Sequence, residues 1–172
     1  MTRWIVDPQA SSVTLEGKSS LHAIHGKVRA GELSGELEAE LEGKQLDTTK
    51  PLRGEIRFPI TSLSFGNAMY DRELPKRLDV AHHPDVVVSL DRVEQSREGA
   101  VSLVLRLSVQ GATVTFPEQV ALEVQDEDTL RLSGSHRFDV RELNIEPPKM
   151  LGMKVHPEFT VQVTLSARRA ED

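Results

Sequence analysis

Apolar and polar residues alternate one for one along most of this chain, and that pattern leaves few folds open. Val13 and Leu15 begin it. Leu37, Ala39 and Leu41 then stand against Glu36, Glu38 and Glu40, and Ile56, Phe58 and Ile60 against Glu55 and Arg57. The second half carries longer runs. Val101, Leu103, Leu105, Leu107 and Val109 face away from Ser102, Arg106 and Ser108, and Val120, Leu122 and Val124 away from Glu123 and Gln125. Leu130, Leu132, Gly134, His136 and Phe138 oppose Arg131, Ser133, Ser135 and Arg137, and Val161, Val163, Leu165 and Ala167 close the series. A two-residue period is the signature of a strand with one dry face. Parallel strands covered on both sides would be apolar throughout, so these strands predict an antiparallel sheet with one solvated face. So many of them must fold over one another, as a barrel or a two-sheet sandwich. Alternation alone leaves both open, although runs of about ten residues favour the barrel. Turns are expected at Gly17, Gly31, Gly43, Gly99 and Gly111 and at Asp126-Glu127-Asp128.

One segment departs from the pattern. Between Asn67 and Asp85 the spacing of Met69, Tyr70, Leu74 and Leu78 predicts a short helical turn over 68–79, with Asn67 as its cap and Pro75 limiting or kinking it. Near the C-terminus, Pro147-Pro148 enforces an extended, unpaired path before the last strand. Nothing divides the chain, and residues 1–172 read as a single domain. A net charge of −6, with arginines scattered singly along strands, argues against a nucleic-acid partner. With no cysteine there is no disulfide, thiolate nucleophile or Cys-based metal site. The opening MTRWIVDPQASS runs straight into a short strand with no basic-then-apolar leader, so a cytoplasmic location is expected. No apolar run approaches the roughly 18 residues of a membrane-spanning helix, and no transmembrane segment is expected.

Candidate reactive groups are few. The adjacent His82 and His83 read as a solvated loop pair, since neighbouring side chains rarely converge on one ion, and His22 and His25 fall on opposite faces of a regular strand. No metal is expected. Acid–base catalysis would recruit Asp71, Glu73 or His136, yet no nucleophile stands at a recognisable spacing from a base, and the expectation is that the protein is not an enzyme. His136 remains the anomaly, because it sits on the apolar side of its strand. Either it is a core histidine satisfied by backbone or by Asp139, or it faces a cavity with a polar end.

The apolar faces are the other candidate. A ligand-sized void of about 400 Å³ would cost on the order of 10 kcal/mol, comparable to a whole domain's stability, so such an interior is filled by its own side chains or by a guest. One Trp, one Tyr and five Phe supply little bulk, which leaves room for an apolar guest; closely packed leucines would fill the same space.

The motifs WIVDPQASSV, GKSSLHAIHG, LDVAHHP, LSVQGATVTF and FDVRELNIEPPKMLGMKVHPEFTVQVTLSA resemble, in the same order, those of the YceI-like family. The opening is similar to the family's W-x-(I/L)-D-P-x-x-S through Trp4, Val6, Asp7 and Pro8, and LSVQGAT keeps Leu107, Gly111 and Thr113 of L-T-I-x-G-V-T. Tyr70 and Glu73 stand where the family's R-D-x-H-L has Arg and His, with Asp71 and Leu74 retained. The aromatic pair that follows is reduced to Leu78. The resemblance implies an all-β, extended antiparallel lipocalin-like β-barrel, often a homodimer, that holds a polyisoprenoid or isoprenoid quinone in its lumen. On that footing the leading expectation is a non-catalytic carrier or sequestering protein for a hydrophobic or amphiphilic small molecule, with no further cofactor. Its tail would lie among Leu103, Leu105, Leu107, Leu130, Leu132, Val163 and Leu165. His136, with Phe138 beside it, would meet a polar head such as a quinone oxygen or a phosphate. Met150 and Met153, flanking Gly152 on a proline-stiffened loop, would form an adaptable lip at the mouth or a plug for the barrel's end. The competing expectation is a filled barrel or sandwich that serves as an interaction module, and an enzyme on a hydrophobic substrate comes third.

Overall fold

The computed structural model describes residues 2–145, 149–150 and 153–171, with the side chains of Lys149, Met150 and Met153 outside that description. The first strands are β1 (Arg3–Val6), β2 (Ser12–Lys18), β3 (Ala23–Val28) and β4 (Ser34–Glu38). A small hairpin, β5 (Leu41–Glu42) and β6 (Gln45–Leu46), leads to β7 (Arg53–Pro59). A 3₁₀ turn (Ile60–Ser62), the short β8 (Leu63–Ser64) and the helix α1 (Ala68–Arg77) follow. Four long strands come next: β9 (Asp85–Arg97), β10 (Ala100–Val109), β11 (Ala112–Asp126) and β12 (Thr129–Asp139). A second 3₁₀ turn (Val140–Leu143), the hairpin β13 (Lys149–Met150) and β14 (Met153–Lys154), and β15 (Glu158–Arg169) complete the chain.

The ladder runs β1-β4-β7-β9-β10-β11-β12-β15, and β15 returns to β1, which closes an eight-stranded antiparallel barrel. Closure removes the open sheet edges a sandwich would leave, and eight strands enclose a space that side chains can just fill or that can hold one small ligand. The last strand does this by dividing its free edge. Ala167–Arg169 pairs with β1, whereas Thr160–Thr164 pairs with β2, and the bend at Asp7-Pro8 carries the chain from one to the other. From β2 the wall continues through β3 to β8, which lies just beyond β7, so the barrel is extended at that end.

The turns follow the chemistry of their residues. Gln110 and Gly111, at φ 55° and 78°, connect Val109 to Ala112 in a two-residue hairpin loop, the geometry that needs positive φ at both positions. Gly17 is a correction. It lies inside β2, and a Cβ there would come within 2.5 Å of the Phe159 ring, so close packing rather than a turn requires glycine. The alternating run at Leu37–Leu41 is also two elements, and Ile60 has left its strand for the 3₁₀ turn. The helix ends at Arg77, two residues before the expected limit, with Pro75 accommodated inside it. Asn67 caps it, its side chain accepting from the N–H groups of Met69 at 2.9 Å and Tyr70 at 3.4 Å. Asp71 anchors it to the barrel by accepting from the Phe65 N–H at 2.8 Å and the Ser64 hydroxyl at 3.2 Å.

One end of the barrel is packed solid. Trp4, 2% exposed, fills it together with Ala39, Leu46, Val101, Leu122, Leu130 and Ala167, and the indole N–H donates to the Ala39 carbonyl at 3.1 Å. The other end carries α1, whose Tyr70 packs with Ile24 and Val155. Among the described residues no helix is long and apolar enough to cross a membrane.

Candidate functional site

Between α1 and the Trp4 plug the barrel encloses a cavity of about 360 Å³. Its wall is built by the inward faces that the alternation defines. β10 contributes Leu103, Leu105 and Leu107, β12 contributes Leu132, His136 and Phe138, and β15 contributes Val163 and Leu165. Leu130 lies instead in the packed end, fully buried beside Trp4 and Leu122. Met150 and Met153 pair through their backbones across β13 and β14, while their side chains and Leu151 lie outside the described residues.

A carboxylate shares this wall with His136. Glu118 has the same parity as Phe116, Val120 and Leu122, and its Oε2 lies 2.7 Å from His136 Nδ1. The histidine's side-chain partner is therefore Glu118. Asp139, three residues on, pairs instead with Arg141. The reason is local to the sheet. Rungs between β11 and β12 join Ala121–Asp126 to Thr129–Ser133 and go no further, although β12 continues to Asp139 against β15. Beyond the last rung the Glu118 carboxylate also accepts the Gln119 N–H at 3.2 Å, so it satisfies a backbone donor where the ladder has ended and bridges the two strands through His136. Phe116 and Phe138 pack against the imidazole and each other as a three-ring cluster, with centroids 4.3 and 4.5 Å from His136 and 5.1 Å apart. The pair is neither dry nor freely solvated: the side chains of His136 and Glu118 are 31% and 17% exposed.

Tyr70 supplies a second polar point. Its ring lines the cavity from α1 and is 8% exposed, and its hydroxyl is buried with no hydrogen-bond partner among the described residues. Glu36, Glu55, Glu73, Glu118 and His136 are the titratable groups that carry charge along the lining, and among the described lining residues there is no lysine or arginine. The other sequence candidates lie apart. His82 sits 2.9 Å from Asp79 on the surface, His25 is exposed beside Glu16, and Ser19 shares a hydrogen bond with His22. Among the described residues no three His, Asp or Glu side chains are grouped so as to hold a metal ion.

Glu118 and Tyr70 were within reach of the sequence. The alternation of the β11 run extends back through Glu118 to Phe116, but Pro117 interrupts the expected pairing and hides the carboxylate's parity. Tyr70 was visible as part of the helix face, without a sign that its hydroxyl would be left unpaired.

A family model described as the YceI-like domain matches residues 4–167. No curated protein sequence matches the chain. Among solved structures, the chain is similar to BcnA of Burkholderia cenocepacia, with a TM-score of 0.75 and 16% identity over 94% of this chain and 98% of that one. It is also similar to a polyisoprenoid binding domain from Saccharophagus degradans, with a TM-score of 0.73 and 10% identity over 97% and 98%. A YceI protein of Campylobacter jejuni follows, with a TM-score of 0.63 and 11% identity over 85% of each chain. At these identities the likeness is one of fold.

Proposed function

The chain belongs to the YceI-like family, and from that premise we propose that it is a non-catalytic carrier or sequestering protein for an amphiphilic isoprenoid-type lipid. The observation that carries this reading is the apolar cavity of about 360 Å³ inside a closed barrel, within the range of small-molecule sites. Left unfilled, a space of that volume would cost on the order of 9 kcal/mol, comparable to the stability of a whole domain, so its wall favours an apolar guest. Burial supplies the affinity. Ten methylene groups taken out of water gain about 8 kcal/mol, before the costs of association are met. A flexible, narrow chain such as a methyl-branched prenyl tail suits a lumen that runs along the strands from α1 towards Trp4. The polyisoprenoid-binding relative of like fold supports that choice of tail, and an isoprenoid quinone is a second member of the same class.

Native mass spectrometry of protein purified without detergent, followed by organic extraction, tests the proposal. A bound lipid that leaves on extraction and is regained from added isoprenoid is the expected result. A clean apo species indifferent to added isoprenoids would end it.

A further inference from the structure

Resting on the carrier reading above, we infer that the cavity selects a lipid whose head is an uncharged hydroxyl and rejects one that ends in phosphate or carboxylate. The charges on the wall come first. Glu36, Glu55 and Glu73 reach the lining from its edges, where Arg3 at 3.2 Å, Arg57, and Lys76 at 3.6 Å pair with them. Among the described residues Glu118 has no lysine or arginine beside it, only His136, and it is the most buried of the four, so it sets the sign that a head group in the lumen meets. An anion placed there would repel Glu118 through a poorly screening interior and would exchange its hydration for a wall without lysine or arginine.

The second step is the hydrogen on His136. A carboxylate accepts, so the 2.7 Å contact with Glu118 puts a ring hydrogen on Nδ1 and leaves Nε2 as the ring atom that a head group would meet. Among the described residues Nε2 makes no hydrogen bond, and Phe116 and Phe138 pack beside the ring that Glu118 holds. A hydroxyl can donate to a bare Nε2 and accept from a protonated one, whereas a carbonyl, an ether or a fully ionised phosphate only accepts.

Tyr70 is the third, independent sign. A buried phenol with no partner is costly, and its hydroxyl both donates and accepts, so it matches a second hydroxyl oxygen or a water accompanying the head. His136 and Tyr70 are thus both hydrogen-bonding groups that bring no fixed positive charge.

Three twenty-carbon probes test this by displacing the neutral dye N-phenyl-1-naphthylamine from detergent-free protein at neutral pH: geranylgeraniol, its monophosphate, and the hydrocarbon phytane. The alcohol is expected to displace the dye at concentrations about tenfold lower than the monophosphate, and below phytane as well. Glu118→Gln should narrow the gap between alcohol and monophosphate several-fold. The double variant Glu118→Leu, His136→Phe removes both partners without leaving either unpaired. It should bring the alcohol to the level of phytane while phytane itself still binds. Should the double variant fail to fold by circular dichroism, Glu118→Gln decides alone. A monophosphate or a hydrocarbon that binds wild-type protein as tightly as the alcohol overturns the head-group inference and leaves the carrier reading standing. If the dye binds and none of the three probes displaces it, both readings fall together.

Discussion

The Trp4 end of the barrel and the cavity beside His136 are made by the same strands with the same alternation, yet one is solid and the other encloses about 360 Å³. At the packed end one indole occupies the space between strands, and Ala39, Val101 and Leu130 around it are wholly excluded from solvent. Along the cavity the facing positions are Leu103, Leu105, Val163 and Leu165, all only partly buried, with Gly134 among them. The long aromatic side chains of the lining, Phe58, Phe65, Tyr70, Phe116, Phe138 and Phe159, leave this space between them. A strand pattern specifies which side chains point inward, whereas the size of those side chains decides whether inward means core or lumen.

The largest test of that contrast is Trp4→Ala. It removes a fully buried ring and its hydrogen bond to the Ala39 carbonyl, from a region with no slack, and should cost about 3–5 kcal/mol. Denaturant unfolding followed by circular dichroism would measure it. A loss under about 1 kcal/mol would mean that this end is as loosely filled as the other, and the comparison would break.

Val163→Phe sharpens it from the cavity side. In a packed core the added volume costs about 1–3 kcal/mol. Facing the lumen, the ring has space to enter, so stability should stay within about 1 kcal/mol of wild type while lipid loading by native mass spectrometry falls several-fold. Marked destabilisation with loading unchanged would show that Val163 packs against a filled interior.

These residues also mark how far the sequence could be read. The inward set of β10, β12 and β15 was legible from period two alone, because a one-residue slip would turn every leucine to water. The helix was legible from Asn67 and the spacing of Tyr70 and Leu74, although its end at Arg77 was not, since Pro75 in a short helix can be accommodated or can stop it. Closure was implied by the resemblance to the YceI-like family, but the alternation alone left barrel and sandwich open. Closure depends on β15 sharing one edge between β1 and β2, a long-range pairing that leaves no local trace. The same holds for the His136 partner: Asp139 is near in sequence, but the strand register puts Glu118 opposite, and Asp139 finds Arg141 two residues on. Gly17 misled for a related reason, since what makes it glycine is the Phe159 ring arriving from the far end of the chain.

The smallest effect concerns the turn that follows β12 and lies against β11 where their ladder has ended. Asp139 starts that turn, and the Arg141 side chain, then the Arg141 N–H, hold its carboxyl below the ordinary aspartate range. A folded value lowered in this way adds stability that is fully present above the unfolded value, near 3.8, and is lost as pH falls through the lower folded one. The turn carries Val140 and Leu143 to the cavity wall, so acid should loosen that wall through Asp139, whereas the carboxylates held low near the Trp4 end, Glu40 and Asp47, bond Thr2 and Thr49 and not the strand that carries Val101. Amide hydrogen exchange measured from about pH 5 down to about pH 3 should show protection at Arg141 falling several-fold in wild type, with little change at Val101. Asp139→Asn keeps an oxygen that can accept the Arg141 N–H and removes the charge, so the same residue should lose its acid dependence. Equal acid dependence in wild type and variant would show that Asp139 does not hold the turn, and loosening at Val101 that Asp139→Asn also abolishes would show that the two ends of the barrel open as one.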